Sequence, residues 1–123
     1  MKGGTMKTIL LVEDNKNQLL LYKQELSMEG YNIITAQDGQ EAVKKVKEHT
    51  PDLIVMDINM PKMDGIESIG RILSGHKKIP IIINTAYSCY KDNFMSWSAD
   101  AYIIKSSDIT ELKDKIKELI GKV

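Results

Sequence analysis

The segment Leu53-Ile54-Val55-Met56-Asp57 places a carboxylate directly after four apolar residues. Three other apolar runs are also followed directly by polar residues. Glu13-Asp14 follows Val12, Asn84-Thr85 follows Ile83, and Lys105 follows Ile104. Continuous apolar runs are typical of strands that are covered on both faces, as in a parallel sheet. Because the carboxyl ends of parallel strands line one crevice, we expect these polar side chains to meet there.

Helical patterns alternate with the predicted strands. The strands are expected at Thr8–Glu13, Asn32–Ala36, Leu53–Asp57, Ile81–Thr85 and Ala101–Lys105. Apolar stripes at helical spacing lie between or after them, at Leu19/Tyr22/Leu26, Ala42/Val43/Val46, Ile66/Ile69/Leu73 and Ile109/Leu112/Ile116, with a less distinct helix over Ser88–Ser98. This order predicts an α/β fold, a three-layer, doubly wound, five-stranded parallel sheet of the flavodoxin-like type with strand order 2-1-3-4-5.

Several residues are placed where helices are expected to begin or end. Gly30 follows the first apolar stripe and is expected to end that helix. Three pairs have the spacing of a capping aspartate and a third-position glutamate: Asp38 with Glu41, Asp64 with Glu67, and Asp108 with Glu111.

Length and composition limit the classes of protein that fit. The chain has 123 residues, of which 42% are hydrophobic, so it is the size of a single domain with a substantial core. Its 17 basic and 17 acidic residues give a net charge of +0, which provides no overall attraction to nucleic acid or to an anionic membrane. No apolar stretch approaches membrane-spanning length. We expect residues 1–5 to be a disordered leader and residues 6–123 to form the domain.

Cys89 is the only cysteine, which excludes a disulfide within the chain. A lone cysteine fits the reducing cytoplasm, and we expect a cytoplasmic protein.

The predicted crevice collects groups that suit phosphoryl chemistry. Glu13, Asp14 and Asp57 concentrate negative charge that requires a counterion, and carboxylates with waters are what Mg²⁺ prefers. The ion would keep Asp57 ionised, as a nucleophile must be. The Lys105 ammonium and the Thr85 hydroxyl could each hold a phosphoryl oxygen. Phosphoryl transfer needs mainly positioning and charge neutralisation, which these side chains supply.

The chain resembles the receiver domain of two-component response regulators. The matching segments run in order along nearly the whole chain from about Met6, and they are Leu11-Val12-Glu13-Asp14, Asp57-Ile58-Asn59-Met60-Pro61, Asp64-Gly65, Thr85-Ala86, Tyr102 and Lys105. Each segment alone would be weak, but together, at the ends of predicted strands, they are highly specific.

This resemblance implies a role for each matched residue. Asp57 would accept a phosphoryl group from a phosphohistidine on a sensor kinase or phosphotransfer protein. Glu13 and Asp14 would be the acidic pair that holds Mg²⁺, and Asn59 would add its backbone carbonyl. Thr85 and Tyr102 would form a switch pair, in which Thr85 moves toward the phosphoryl group and Tyr102 rotates into the space behind it.

Two further positions bear on how long the phosphorylated state lasts. In the family, the residues two after the phosphoacceptor and two after the switch hydroxyl flank the path of the attacking water. Here they are Asn59, which could orient a water, and Tyr87, which could cover the phosphoryl group. Tyr90, Phe94 and Trp97 form a stripe that faces either the core or a partner.

The chain departs from the family pattern after the fifth strand. Ser106 stands where the family usually has proline, often with a cis bond. Since a cis bond before a non-proline residue costs about 3 kcal/mol, we expect a trans peptide that still lets Lys105 point inward.

The resemblance also implies partners. No effector module follows Gly121, so we expect a receiver of the single-domain type known from chemotaxis and sporulation, or one excised from a longer regulator. It would act on a downstream output protein or through a missing effector domain, as a monomer or weak dimer, without binding nucleic acid or a membrane. It would not be a turnover enzyme, although it would catalyse its own phosphorylation and slow dephosphorylation.

Two other classes of protein share part of this pattern. One is a phosphohydrolase with an aspartate nucleophile, as in the haloacid dehalogenase type, but such enzymes place a second acid where Asn59 stands. The other is a flavin-binding module of the flavodoxin type, but Glu13-Asp14-Asn15 would repel the flavin phosphate.

Overall fold

The computed structural model describes residues 6–57, 70, 79–86, 99–106 and 108–121. Within these residues a parallel sheet of five strands has the order β2-β1-β3-β4-β5. The strands are β1 (Thr8–Val12), β2 (Asn32–Ala36), β3 (Leu53–Met56), β4 (Ile81–Thr85) and β5 (Ala101–Ile104). Both the fold class and the strand order predicted from the sequence are confirmed.

Three helices of the described residues pack on this sheet. They are α1 (Lys16–Met28), α2 (Gly39–His49) and α3 (Thr110–Ile120). The predicted stripe Ile66/Ile69/Leu73 and the predicted helix over Ser88–Ser98 lie outside the described residues, where only Gly70 is described and is helical. None of the helices in the described ranges is long and apolar enough to cross a membrane.

Apolar side chains cover both faces of the sheet, which explains the continuous apolar runs. Alternate residues of each strand point to opposite faces. One set, including Leu10, Ile54 and Ile83, packs with Ala42 and Val46 of α2. The other set packs with α1 and α3, and its buried members are Ile9, Leu11, Leu53, Val55, Ile82, Ala101 and Ile103 from the strands and Leu19, Tyr22, Leu26, Leu112 and Ile116 from the helices.

The strands end at nearly the same level, which brings their carboxyl-terminal residues together. Val12 of β1 is level with Met56 of β3. The backbone ladder continues one residue beyond the strands, because the Asp57 N–H donates to Val12 O at 3.0 Å and the Lys105 N–H donates to Thr85 O at 2.8 Å. The residues that follow β3 and β5 therefore have fixed backbone positions.

Helix α1 ends as predicted. Gly30 has a φ of 98°, a conformation that favours glycine. The N–H groups of Glu29 and Gly30 donate to the carbonyls of Leu26 and Ser27, at 3.1 and 3.0 Å. The last turn of the helix is thereby closed.

Two of the three predicted N-caps lie within the described residues, and one of these two predictions is confirmed. Asp38 caps α2 as expected, since its Oδ1 accepts from the Glu41 N–H at 2.8 Å. The prediction that Asp108 caps α3 is wrong, because Ile109 holds the N-cap position and no side chain caps the helix there. The predicted partner of Asp108 was Glu111. The Asp108 carboxylate instead accepts from the N–H and the hydroxyl of Thr110, one residue earlier, at 2.9 and 2.6 Å.

Candidate functional site

Four predicted site residues are brought to the carboxyl-terminal edge of the sheet. Glu13, Asp57 and Lys105 directly follow β1, β3 and β5, and Thr85 is the last residue of β4. Glu13, Asp57 and Thr85 are only 3%, 7% and 0% exposed. Polar side chains so far from water must be stabilised by one another or by a ligand.

The acidic residues form a compact cluster. Carboxylate oxygens of Glu13, Asp14 and Asp57 all lie within 4.8 Å of one another. Glu13 and Asp57 are buried, whereas Asp14 is exposed. Three carboxylates this close together are hard oxygen ligands of the kind that Mg²⁺ binds, with waters completing its shell. The side chains present therefore fit the magnesium ion predicted from the sequence.

Lys105 binds two of these carboxylates at once. Its Nζ lies 2.6 Å from Glu13 Oε1 and 2.8 Å from Asp57 Oδ2, and its side chain is 13% exposed. The Asn15 N–H donates to the other Glu13 oxygen at 3.1 Å. The ammonium thus offsets the charge of two buried carboxylates that come from different strands.

Burial and ion pairing set the pKa values of this group. Burial raises the pKa of the Glu13 carboxyl, although the hydrogen bonds from Lys105 and Asn15 lower it in part. Burial alone would lower the pKa of the Lys105 ammonium, but its hydrogen bonds to Asp57 and Glu13 outweigh that effect and raise it. Lys105 is therefore charged at neutral pH.

The peptide after Lys105 is trans, because the described residues contain no cis bond. The trans bond predicted for Lys105–Ser106 is confirmed, and the lysine still points inward to its carboxylates. The loop that follows is closed locally, since the Asp108 N–H donates to Ser106 Oγ at 3.2 Å.

The predicted switch residues are both buried on the same side of the sheet. Tyr102 is 7% exposed and packs in the cluster that contains Ile54 and Ile83. It is level with Ile83 of β4, two residues before Thr85. The tyrosine therefore lies beside the strand that ends in Thr85, on the same face of the sheet.

Asn59 and Tyr87, which were predicted to influence the lifetime of the phosphorylated state, lie outside the described residues. The aromatic stripe of Tyr90, Phe94 and Trp97 also lies outside them.

Sequence reasoning gave no role at the site to two polar residues that share a cavity with the cluster. Asn84 is 4% exposed and lines a small cavity together with Asp57, Glu13 and Tyr22. The available signal was the amide of Asn84 directly after three isoleucines of the same strand. Tyr22 was read only as part of an apolar stripe.

Comparison with known proteins identifies the family. Residues 9–117 match the model of the response regulator receiver domain, so the chain belongs to that family and is a receiver domain of two-component signalling. The response regulator ArlR of Staphylococcus aureus is 38% identical over 117 residues, which cover 94% of this chain and 53% of ArlR. The chain thus spans about half the length of the curated relatives it matches.

Solved structures of response regulators are similar to this chain. The response regulator TrrA of Thermotoga maritima, in complex with Mg²⁺ and BeF, is 46% identical with a TM-score of 0.88, covering 93% of this chain and 99% of that one. A second structure holds TrrA in complex with the histidine kinase ThkA, at 46% identity and a TM-score of 0.86, covering 94% of this chain and 99% of TrrA. The family predicted from the motifs is confirmed.

Proposed function

We propose that this chain is a phosphoacceptor signalling domain in which Asp57 takes a phosphoryl group from a phosphohistidine on a sensor kinase or phosphotransfer protein. The observation that carries the proposal is the contact of Lys105 Nζ with both Asp57 and Glu13. A buried carboxylate beside a fixed ammonium and two more carboxylates suits a reaction on an anionic group.

In the proposed reaction an Asp57 carboxylate oxygen attacks phosphorus in line with the bond to the histidine nitrogen. The new O–P bond forms as the P–N bond breaks, and the imidazole leaves with a proton from solvent. Lys105 moves its ammonium from the Asp57 oxygen to a phosphoryl oxygen, and the Thr85 hydroxyl donates to another. These groups act by positioning and by neutralising charge.

Glu13, Asp14 and Asp57 would hold a magnesium ion, with the backbone carbonyl of Asn59 as a further ligand. When bound, the ion would offset the carboxylate charge and stabilise phosphoryl oxygens. Support comes from the carboxylate cluster of this chain and from the Mg²⁺-containing structure of TrrA.

After phosphorylation, Thr85 and Tyr102 would change the output surface as a switch pair. The complex of TrrA with ThkA supports a histidine kinase as the partner on the input side. On the output side we propose a downstream protein or an effector domain, without nucleic acid bound by residues 6–123. Such a domain would work in the cytoplasm, would be monomeric or weakly dimeric, and would not turn over a substrate.

The direct test is intact mass after incubation with acetyl phosphate and Mg²⁺. The wild type should gain the mass of one phosphoryl group, and Asp57→Asn or removal of divalent metal should prevent the gain. A gain that persists in Asp57→Asn would refute Asp57 as the acceptor. Sustained phosphate release from simple esters would instead favour the phosphohydrolase, and visible absorbance of the purified protein would favour the flavin module.

We also propose that Tyr87 shields the phosphoryl group from water. Tyr87→Ala should then lose its phosphoryl group faster than the wild type, and Asn59→Ala should lose it at the same rate or more slowly. Decay of the phosphoprotein is followed after removal of the donor at fixed Mg²⁺. Unchanged or slower decay in Tyr87→Ala would reject shielding.

A further inference from the structure

Asn84 is a buried amide on an apolar face of the sheet. It lies on β4 directly before Thr85, so the two side chains point to opposite faces. The Asn84 face is the one that packs on α1 and α3, and its neighbour on the same strand and face is Ile82, which is 0% exposed. Asn84 is 4% exposed, and its side chain lines two small cavities on this face of the described structure.

Tyr22 presents the same situation from the helix side. It is 5% exposed within α1, and it lines the same two cavities as Asn84. Buried tyrosine hydroxyls usually find a partner. Gln18, one turn earlier on α1, adds an amide oxygen that is buried without a partner among the described residues. Gln18 Oε1 is thus the buried side-chain atom without a partner within the described ranges, on the helix that also carries Tyr22.

Asn84 and Tyr22 line the same two cavities, each of about 10 Å³. A cavity of this size, with two or more polar neighbours, holds about one water molecule. The first cavity reaches the phosphoacceptor, and its other lining residues are Leu11, Val12, Glu13, Val55 and Asp57. The second reaches the loop after β5, and its polar lining includes Ser106, Asp108 and Glu111.

We propose that Asn84 and Tyr22 hold ordered water behind Asp57, and that Asn84 is a positioning residue for the phosphoacceptor. We name Asn84, Tyr22 and the two cavities the polar seam. Water in the first cavity would bridge Asn84 and Tyr22 to the carboxylates of Glu13 and Asp57. Water in the second would bridge Asn84 to Ser106 and Asp108. The positioning role of Asn84 rests on the proposed function, whereas the presence of ordered water does not.

The seam matters because the front of Asp57 is crowded with charge. Lys105 holds one Asp57 oxygen, and Asp14 approaches from the exposed side. Water in the first cavity gives the two buried carboxylates a fixed hydrogen-bond donor from behind. Fixing their orientation places the attacking oxygen in line with phosphorus, and small misplacements of a reacting group cost rate steeply.

Two substitutions separate positioning through water from simple packing. Asn84→Leu keeps the volume but removes the polar group, and Asn84→Ser keeps a polar group but loses volume. Under the proposal, Asn84→Leu is phosphorylated by acetyl phosphate between about three- and tenfold more slowly, whereas Asn84→Ser stays near the wild-type rate. If packing alone mattered, Asn84→Leu would match the wild type and Asn84→Ser would be impaired.

The kinetic measurement is the maximal phosphorylation rate at saturating Mg²⁺, determined separately from the half-saturating concentration of acetyl phosphate. Positioning predicts a lower maximal rate with little change in half-saturation. Thermal unfolding of each variant serves as the control, because Leu in this apolar layer should leave the melting temperature unchanged or higher. A slower rate in Asn84→Leu without lost stability supports the proposal. A wild-type rate in that variant overturns the positioning role of Asn84.

Hydration is measured on the wild type, independently of phosphorylation. In ¹⁵N-labelled protein, the Asn84 side-chain amide protons should show nuclear Overhauser effects to long-lived water. Their absence, with clear water contacts at an exposed amide such as Asn17, would overturn the polar seam. If the wild type takes up no phosphoryl group, the proposed function and positioning role fail together, while the hydration result still decides whether the seam exists.

Discussion

At the scale of single residues, Lys105 does the most to make the site compatible with folding. It compensates two carboxylates that β1 and β3 bring together, and its side chain is only 13% exposed. Removing one partner of a buried ion pair is costly because it leaves uncompensated charge away from water. The same ammonium is available to a phosphoryl oxygen once that group arrives.

We therefore expect Lys105→Met to lose phosphorylation and to destabilise the metal-free protein by about 3 kcal/mol at neutral pH. Added Mg²⁺ should stabilise this variant more than the wild type, since the ion replaces the lost positive charge. Urea unfolding with EDTA and with Mg²⁺ measures both effects. Lys115→Met is the control, because among the described residues Lys115 pairs only with the exposed Glu118, one helical turn away. Equal stability of the two variants would contradict the role given to Lys105.

At the scale of elements, the ends of the helices fix how the chain enters each strand. Helix α1 must stop before β2, which begins at Asn32. Gly30 makes this turn with a φ of 98°, and its N–H closes the last helical turn on Ser27. A side chain at this position would be strained because Cβ crowds the backbone at positive φ.

Gly30→Ala should accordingly lower the free energy of unfolding by about 1–2 kcal/mol. Gly70→Ala is a matched control, because Gly70 is helical and a Cβ added there meets nothing within 4 Å. That control should be neutral or more stable by up to about 1 kcal/mol, since alanine favours helix over glycine. Chemical denaturation compares the two variants, and a loss of equal size in both would argue against strain at Gly30.

At the scale of the whole molecule, the parallel sheet collects charge at one edge. Its two faces pack against α1, α2 and α3, so the acidic cluster lies where the apolar core meets solvent. Burial raises the pKa of Glu13, which means that the folded state binds this proton more tightly than the unfolded chain does. The contribution of Glu13 to stability is therefore present at low pH and lost as pH rises.

In EDTA, the stability of the wild type relative to Glu13→Gln should fall as pH rises from the unfolded-chain pKa of about 4.3 through the raised folded-state pKa of Glu13. Mg²⁺ should offset the loss, because the ion binds the ionised carboxylates. Thermal melts of both proteins between about pH 4 and pH 8 check the difference. A stability difference that stays constant across this range would show that burial does not raise the pKa of Glu13.

Much of the fold and site could be predicted because both depend on short-range patterns. Continuous apolar runs such as Leu53–Met56 mark buried parallel strands, and the polar residue after each run falls at one edge of the sheet. The start of α3 was predicted wrongly because Asp108 has two local partners in Thr110, and these compete with the cap spacing to Glu111.

The sequence by itself determined the sheet order, the family and the residues delivered to the edge, because strand periodicity and right-handed crossovers leave few alternatives. Only the tertiary structure decided that Lys105 binds Glu13 as well as Asp57, and that Asn84 and Tyr22 share two cavities, one of which reaches Asp57. These contacts join residues far apart in the chain, and their distances depend on how α1, α3 and the strands pack. Local sequence patterns carry no information about that packing at the scale of a single water molecule.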